Sequence, residues 1–266
     1  MLSGLIVYSR GDKEKNIYFI DCCIKRLSKE GFSIVYQDED DVLDYVKNNK
    51  IDFVIYRSRN YQLLEKLESL GIRCFNNSLT NKTANDKYLT YEFLKANNFP
   101  CLKSNLSNDK LSLPFVMKSV DGHGGQEVYL INEKSDVETY RKPDKKYIFQ
   151  DYYPNDGDLR IYVLNKKVIG AVLRENQNDF RSNYSLGGEV KAYKPEQEIV
   201  DLAIKVSELL NADYIGVDFL KTNNRWLINE IEDPVGARML LKASNIDAVN
   251  LFIDYICVSL NNKSSF

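Results

Sequence analysis

The chain has 266 residues, 44% of them apolar and 28% charged, a balance that supports a sizeable core and excludes a disordered polyelectrolyte. Lys and Arg number 36 against 38 Asp and Glu, a formal charge of −2, so no basic excess draws it to nucleic acid or an anionic membrane. The single histidine, His123, excludes multi-histidine metal sites and forces any nucleophile with an imidazole base to use that one ring.

Five cysteines without a Cys-x-x-Cys pair read as reduced thiols. The start has no basic region ahead of its short apolar run, and no apolar stretch reaches the roughly 18 residues of a membrane span. A soluble, cytoplasmic protein is expected.

In residues 1–77, GLIVYS, FSIVYQ, DFVIYRS and IRCFN read as strands. The segments between them carry apolar residues at helical spacing, such as Ile20, Ile24 and Leu27, or Leu63, Leu64 and Leu67, so a mostly parallel α/β sheet is predicted. The turn after the first strand lacks G-x-G-x-x-G, which leaves a dinucleotide site there unsupported. Ser9-Arg10 and Arg57-Ser58-Arg59 fall at strand ends, where an anionic substrate or a structural role would suit them equally. The polar stretch NNSLTNKTAND leads into a helix ending near Asn97-Asn98, with Pro100 as a stop signal. LSLPFVMKSV is a strand with Leu113, Phe115 and Met117 on one face and Val116, Lys118 and Val120 on the other. From residue 147 the pattern becomes long antiparallel hairpins. EQEIVDLAIKVSELL forms a helix through Ile199, Leu202, Ala203, Val206 and Leu210, and one closing helix is expected around 246–260.

Three constellations could carry chemistry. In DGHGGQEV, residues 121–128, glycines leave backbone N–H groups free to wrap phosphate oxygens, and Lys118 on the preceding strand could reach the same phosphates. Alone the signal is weak, and for an isolated Gly-Gly an ordinary tight turn is the favoured reading. Around Asn165-Lys166-Lys167, a three-residue turn puts Asp158, Arg160 and Arg174 on one face with Asp158 opposite Arg174, either to grip a polyphosphate or as a solvated ion pair. In hairpin 214–232, pairing about Asn223 puts Asp218 across from Ile228 and diagonal to Glu230. Asp218, Glu230 and Glu232 then share a face, an oxygen set that selects Mg²⁺ or Mn²⁺.

The order of these features, with DFRSNYSLGG at 179–188 and LINEIEDPVG at 227–236, resembles ATP-grasp ligases, most closely the RimK-type glutamate ligase group, from about Asn76 onward. The resemblance implies a mixed α/β and α+β architecture: an N-terminal Rossmann-like pre-ATP-grasp domain over 1–77, a central subdomain with the phosphate loop over 78–150, and a C-terminal subdomain over 151–266. ATP would lie between the last two. Lys118 matches the lysine that holds the phosphates and Lys87 an earlier family lysine. Gly124, Gly125 and His123, which stands where a small residue is common, are expected over the phosphates, and Gln150, Asp151 (in place of the usual Glu) and Tyr152 at the adenine hinge. Asp158 matches the acid near the ribose, and Arg181, Ser182 and Asn183 a nucleotide-contacting triplet. Lys118, Arg160 and Arg174 fall on catalytic cations, while Asp218, Glu230 and Glu232 would hold one or two Mg (or Mn) ions.

The sequence also departs from the family pattern. Glu232 stands where the third ligand is normally Asn, Glu127 replaces a loop glycine, and Arg238 stands where the glutamate ligase has an acid. The implied activity is ATP-dependent carboxylate–amine ligation through an acyl phosphate. The alternatives are a kinase acting on a hydroxyl, or a catalytically silent ATP-binding scaffold. Expected partners are a small-molecule or peptide carboxylate and an amine, not nucleic acid or membrane, with a homo-oligomer left open.

Overall fold

The computed structural model describes residues 1–154, 157–175, 189–222 and 225–263. Three sheets organise them. The first is built from β1 (Ser3–Tyr8), β2 (Ser33–Asp38), β3 (Phe53–Tyr56) and β4 (Arg73–Phe75), all parallel in the order β2-β1-β3-β4. Helices α1 (Ile17–Lys29), α2 (Val42–Asn48) and α3 (Tyr61–Ser69) cover it. Leu63, Leu64 and Leu67 bury one face of α3 against the sheet, and the Asn60 side chain accepts from the Leu63 N–H to start that helix.

The polar stretch 76–86 contains a helix of its own, α4 (Ser78–Ala84), capped by Asn77, whose side chain accepts from the Thr80 N–H at 2.8 Å. Thr80, Asn81 and Thr83 are buried, so polarity misreads this helix as exposed. Asp86 then caps α5 (Lys87–Ala96), accepting from Tyr88 and Leu89 N–H groups at 2.9 Å.

The second sheet is antiparallel, β5 (Ser104–Asn105), β8 (Tyr147–Asp151), β6 (Phe115–Ser119) and β7 (Val128–Ile131) in that order. Phe115 and Met117 face a small core under α6 (Lys134–Tyr140), which leaves Val116 and Lys118 on the opposite face. Strand β8 therefore belongs to this sheet rather than to the long hairpins that follow. Leu113 lies before β6 and is exposed.

The third sheet runs β11-β10-β9-β12-β13, with β9 (Asp158–Leu164), β10 (Lys167–Glu175), β11 (Glu189–Ala192), β12 (Tyr214–Thr222) and β13 (Arg225–Glu232). Leu159, Ile161, Val163, Ile215, Val217 and Phe219 pack on α7 (Gln197–Leu209). The other face is divided. Tyr162, Leu164, Val172 and Tyr214 join the core of the first sheet, while the charged residues at the far end of the same strands meet a cavity.

The closing helix is α9 (Ala248–Lys263), and a short helix the sequence reading did not include, α8 (Arg238–Ser244), precedes it. Helix α9 fastens the first sheet to the third: Phe252 stacks near Phe19 of α1, Phe75 of β4 and Tyr214 of β12, with ring centroids 6.3, 6.5 and 5.2 Å away. No helix among the described residues is long and apolar enough to cross a membrane. Truncating Phe252 to Ala is expected to cost about 3–5 kcal/mol of stability, read from the urea midpoint. A loss below about 1 kcal/mol would show that α9 does not hold the sheets together.

Candidate nucleotide and substrate site

The second and third sheets enclose a cavity of about 320 Å³ that also reaches the loop after β3. Its phosphate-like end is the loop between β6 and β7. Gly124 and Gly125 take φ of 64° and 74° in succession, a left-handed pair that side chains with a Cβ resist. Glu127 and Asp121 flank the loop and are tied outward, Glu127 to Lys142 at 3.0 Å and Asp121 to Lys145 at 3.0 Å. Lys87, first residue of α5, donates its backbone N–H to Val120 O at 3.0 Å and its ammonium to Gly122 O. It thus anchors the loop stem while lining the cavity.

Lys118 is buried, its Nζ donating to Asn229 Oδ1 at 2.9 Å and lying 3.6 Å from Glu230 Oε1. Burial pushes its pKa down, against the pull of Glu230. Glu230 is held below its usual range, because Lys87 and Lys118 outweigh the upward push of burial. His123 sits at the cavity rim, where desolvation by the wall and the cations Arg59 and Lys87 bring its pKa down to about 4. Its imidazole is neutral near pH 7.

The opposite wall is an ion-pair network across four strands. Arg160 on β9 lies beside Asp218 on β12, and its Nε and Nη2 donate to Oδ1 and Oδ2 at 2.7 Å each. Arg160 Nη2 also reaches Glu232 Oε2 at 3.0 Å. Arg174 on β10 donates to Asp218 Oδ2 at 2.6 Å and to Asp158 Oδ1 from Nε at 3.2 Å and from Nη2. Gly216 leaves the space for this: a Cβ there would meet Val235 at 2.9 Å and Arg160 and Glu232 at 3.3 Å. Burial raises the Asp218 pKa, but the two guanidiniums prevail and hold it down to about 2. Asp158 shares only Arg174, and burial with the nearby Asp218 charge pushes it up to about 6.

Two expectations about register need correction. Asp158 does lie opposite Arg174, but the hairpin turns through two residues, Asn165 and Lys166, at φ 48° and 61°, and a bulge between Val168 and Gly170 restores the pairing. In the other hairpin Asp218 faces Glu230 directly, not Ile228, because the register shifts between Asp218 and Phe219. The residue left unpaired, Asn229, meets Lys118. Asp218, Glu230 and Glu232, the expected metal carboxylates, all line the cavity. Among the described residues no group of three His, Cys, Asp or Glu is arranged to hold a metal. Both oxygens of Asp218 are bound by guanidiniums, which leaves Glu230 and Glu232, each partly exposed to the cavity, as the hard oxygen donors that fit a divalent ion.

The remaining wall suits a flat base: Leu102, Val116, Leu220 and Ile231 face it beside Gln150, Asp151, Tyr152 and Tyr153. The Gln150 amide is turned away, donating to Ser104 Oγ at 2.8 Å. Asp158 lines the cavity and pairs with Arg174. Arg181, Ser182 and Asn183 lie outside the described residues. Sequence reasoning missed Asn229, which only a bulge brings into the site.

Replacing Asp218 with Asn leaves two buried guanidiniums short of charge and is expected to cost about 3–5 kcal/mol in the ligand-free protein. Urea denaturation checks it, and unchanged stability would contradict the network. For His123, the folded pKa near 4 lies below the unfolded value of 6.5, so the unfolded chain binds the extra proton between those pH values and stability falls as pH drops through them. H123Q should show a shallower loss over that window than the wild type; parallel pH profiles would refute the assignment.

The match to known proteins follows this geometry. A model of the RimK-like ATP-grasp domain matches residues 86–256. The uncharacterized protein MG011 homolog of Mycoplasma pneumoniae is 31% identical over 249 residues, covering 90% of this chain and 86% of that protein. A probable alpha-L-glutamate ligase of Haemophilus influenzae is 26% identical over 258 residues, covering 88% and 85%. The fold matches the D-alanine–D-alanine ligase of Bacillus anthracis, solved with ATP, at a TM-score of 0.76 over the full length of both chains with 17% identity. Lys87, Lys118, the glycine loop between β6 and β7, Arg160 and Arg174 all fall within the matched range, and the chain belongs to the RimK-like ATP-grasp family.

Proposed function

We propose that the chain joins a carboxylate to an amine at the expense of ATP, through an acyl phosphate formed between Lys118 and the Arg160–Arg174 row. The chain is an ATP-dependent carboxylate–amine ligase. The observation that carries the reading is the makeup of the cavity: cations converge beside a glycine loop, and no serine or cysteine side chain is among the described residues lining it. The one threonine there, Thr90, donates its hydroxyl to Thr83 O at 2.6 Å. Such a site is built for charge neutralisation and in-line placement, not for a covalent enzyme intermediate.

In the first step a carboxylate oxygen of the substrate attacks the γ-phosphorus, the bond from phosphorus to the β-γ bridging oxygen breaks, and ADP leaves. In the second the amine nitrogen attacks the acyl carbon and loses a proton, and the bond to phosphate breaks with release of inorganic phosphate. Lys118 would hold phosphate oxygens through both steps, while Arg160 and Arg174 would stabilise negative charge on the transferred group and the acyl oxygen. Glu230 and Glu232 would hold a magnesium ion, which supplies charge neutralisation at the phosphates. His123, neutral, can donate one hydrogen bond to a phosphate without adding charge.

Incubation with ATP, Mg²⁺, hydroxylamine and a panel of carboxylates should yield hydroxamate and ADP, and Lys118→Met should lower turnover by about a hundredfold or more. A phosphorylated alcohol as the product would replace the ligase reading with a kinase. Tight ATP binding without ADP release would replace it with a scaffold.

A further inference from the structure

The cations of the cavity are held in two ways. Arg160 and Arg174 donate to carboxylates, Asp218 foremost. Lys118 donates instead to a neutral acceptor, Asn229 Oδ1 at 2.9 Å, while the Glu230 carboxylate stands farther off at 3.6 Å. A carboxylate fixes a cation and cancels much of its charge. An amide oxygen fixes it and leaves the charge for an incoming anion. Because an ammonium only donates, the oxygen end of the amide must be the one that faces it.

Strand β13 carries an extra residue to put that amide in place. Asp218 pairs with Glu230 and Phe219 with Ile228, which leaves Asn229 without a partner in the ladder. Regular alternation would set Ile228, Glu230 and Glu232 on one face. The bulge lets Ile228 join Ile231 in the core under α7, while Glu230 and Glu232 line the cavity together with Asn229. The bulge is also held from outside its ladder: the Ile228 N–H donates to Pro100 O at 2.9 Å, and the Ile228 carbonyl accepts from the Leu102 N–H at 3.0 Å. The Asn229 side chain makes no other hydrogen bond among the described residues.

We infer that Asn229 is a positioning residue for nucleotide binding, one that holds the Lys118 ammonium in place without cancelling its charge. The inference rests on the reading of the cavity as an ATP site. A lysine stem is flexible, and a side chain ordered in advance gives up less freedom when its ligand binds. With a magnesium ion held by Glu230, Asn229 would remain as the contact that keeps Lys118 aimed at the phosphates.

A double-mutant cycle shows whether Asn229 acts through Lys118. The full chain is titrated calorimetrically with the Mg²⁺ complex of the non-hydrolysable ATP analogue AMP-PNP, as wild type, Asn229→Ala, Lys118→Met and the double variant, each first shown to be folded by its urea midpoint. Asn229→Ala should weaken binding about tenfold in the wild type, and by no more than about twofold once Lys118 is gone. Lys118→Gln takes the place of Lys118→Met should the latter not fold. Unchanged affinity in Asn229→Ala, or an equal loss with and without Lys118, would overturn the inference and leave the ATP reading standing, because a merely structural amide acts regardless of Lys118. Full affinity in Lys118→Met would overturn it together with the role given to that lysine. A wild type that does not bind the analogue would overturn both the inference and the ATP reading.

Discussion

One shared carboxylate governs the third sheet. Asp218 accepts from Arg160 through both oxygens and from Arg174 through one, in a place where none of the three is appreciably exposed. A buried guanidinium without a partner costs several kcal/mol, so the arginines fix where β12 must lie relative to β9 and β10. A slip of one residue would turn the charged row into the apolar face under α7 and expose Leu159, Ile161 and Val217 to the cavity. The ion pairs add little net stability against an apolar core of equal shape, but they strongly penalise every other register.

That same network keeps the cations arranged before any substrate arrives. Strands of one sheet carry Arg160, Arg174 and Asp218, and the neighbouring sheet carries Lys118, linked to the first by Asn229. The Ile228 N–H donates to Pro100 O at 2.9 Å and the Leu102 N–H to Ile228 O at 3.0 Å, which ties the segment before β5 to β13 as well. Donors held by regular strands need little reorganisation when negative charge develops between them.

Much of this was legible from alternation. The parallel strands, the α7 stripe and the common face of Asp158, Arg160 and Arg174 follow from which residues are apolar. What alternation cannot show is a bulge. Asn229 in WLINEIE reads as one polar residue on the apolar face, when in fact it steps out of the ladder, so the direct pairing of Asp218 with Glu230 was missed. In the other hairpin an assumed three-residue turn reached the right partner because the Ile169 bulge compensates for the shorter turn. Helix α4 was hidden for the opposite reason. Its asparagines and threonines look solvated in the sequence, but they are buried because their partners, the Ser58 and Leu210 carbonyls and Asp233, lie far away in the chain.

Helix α4 also explains why the first sheet matters to chemistry that takes place elsewhere. Asn76, Asn81 and Asn85 all bond to Asp233, through both carboxylate oxygens and the carbonyl, and Asp233 directly follows Glu232. The position of the carboxylate strand's end is therefore set by the first sheet as much as by its own ladder. An apolar interface would have tolerated sliding by a fraction of a residue, because hydrophobic contact is non-directional. Hydrogen bonds between buried amides and a carboxylate do not, since each displaced donor is left unsatisfied. The interface is polar where the loops after β3 and β13 must be held in register, and apolar around Phe252, where only cohesion is required.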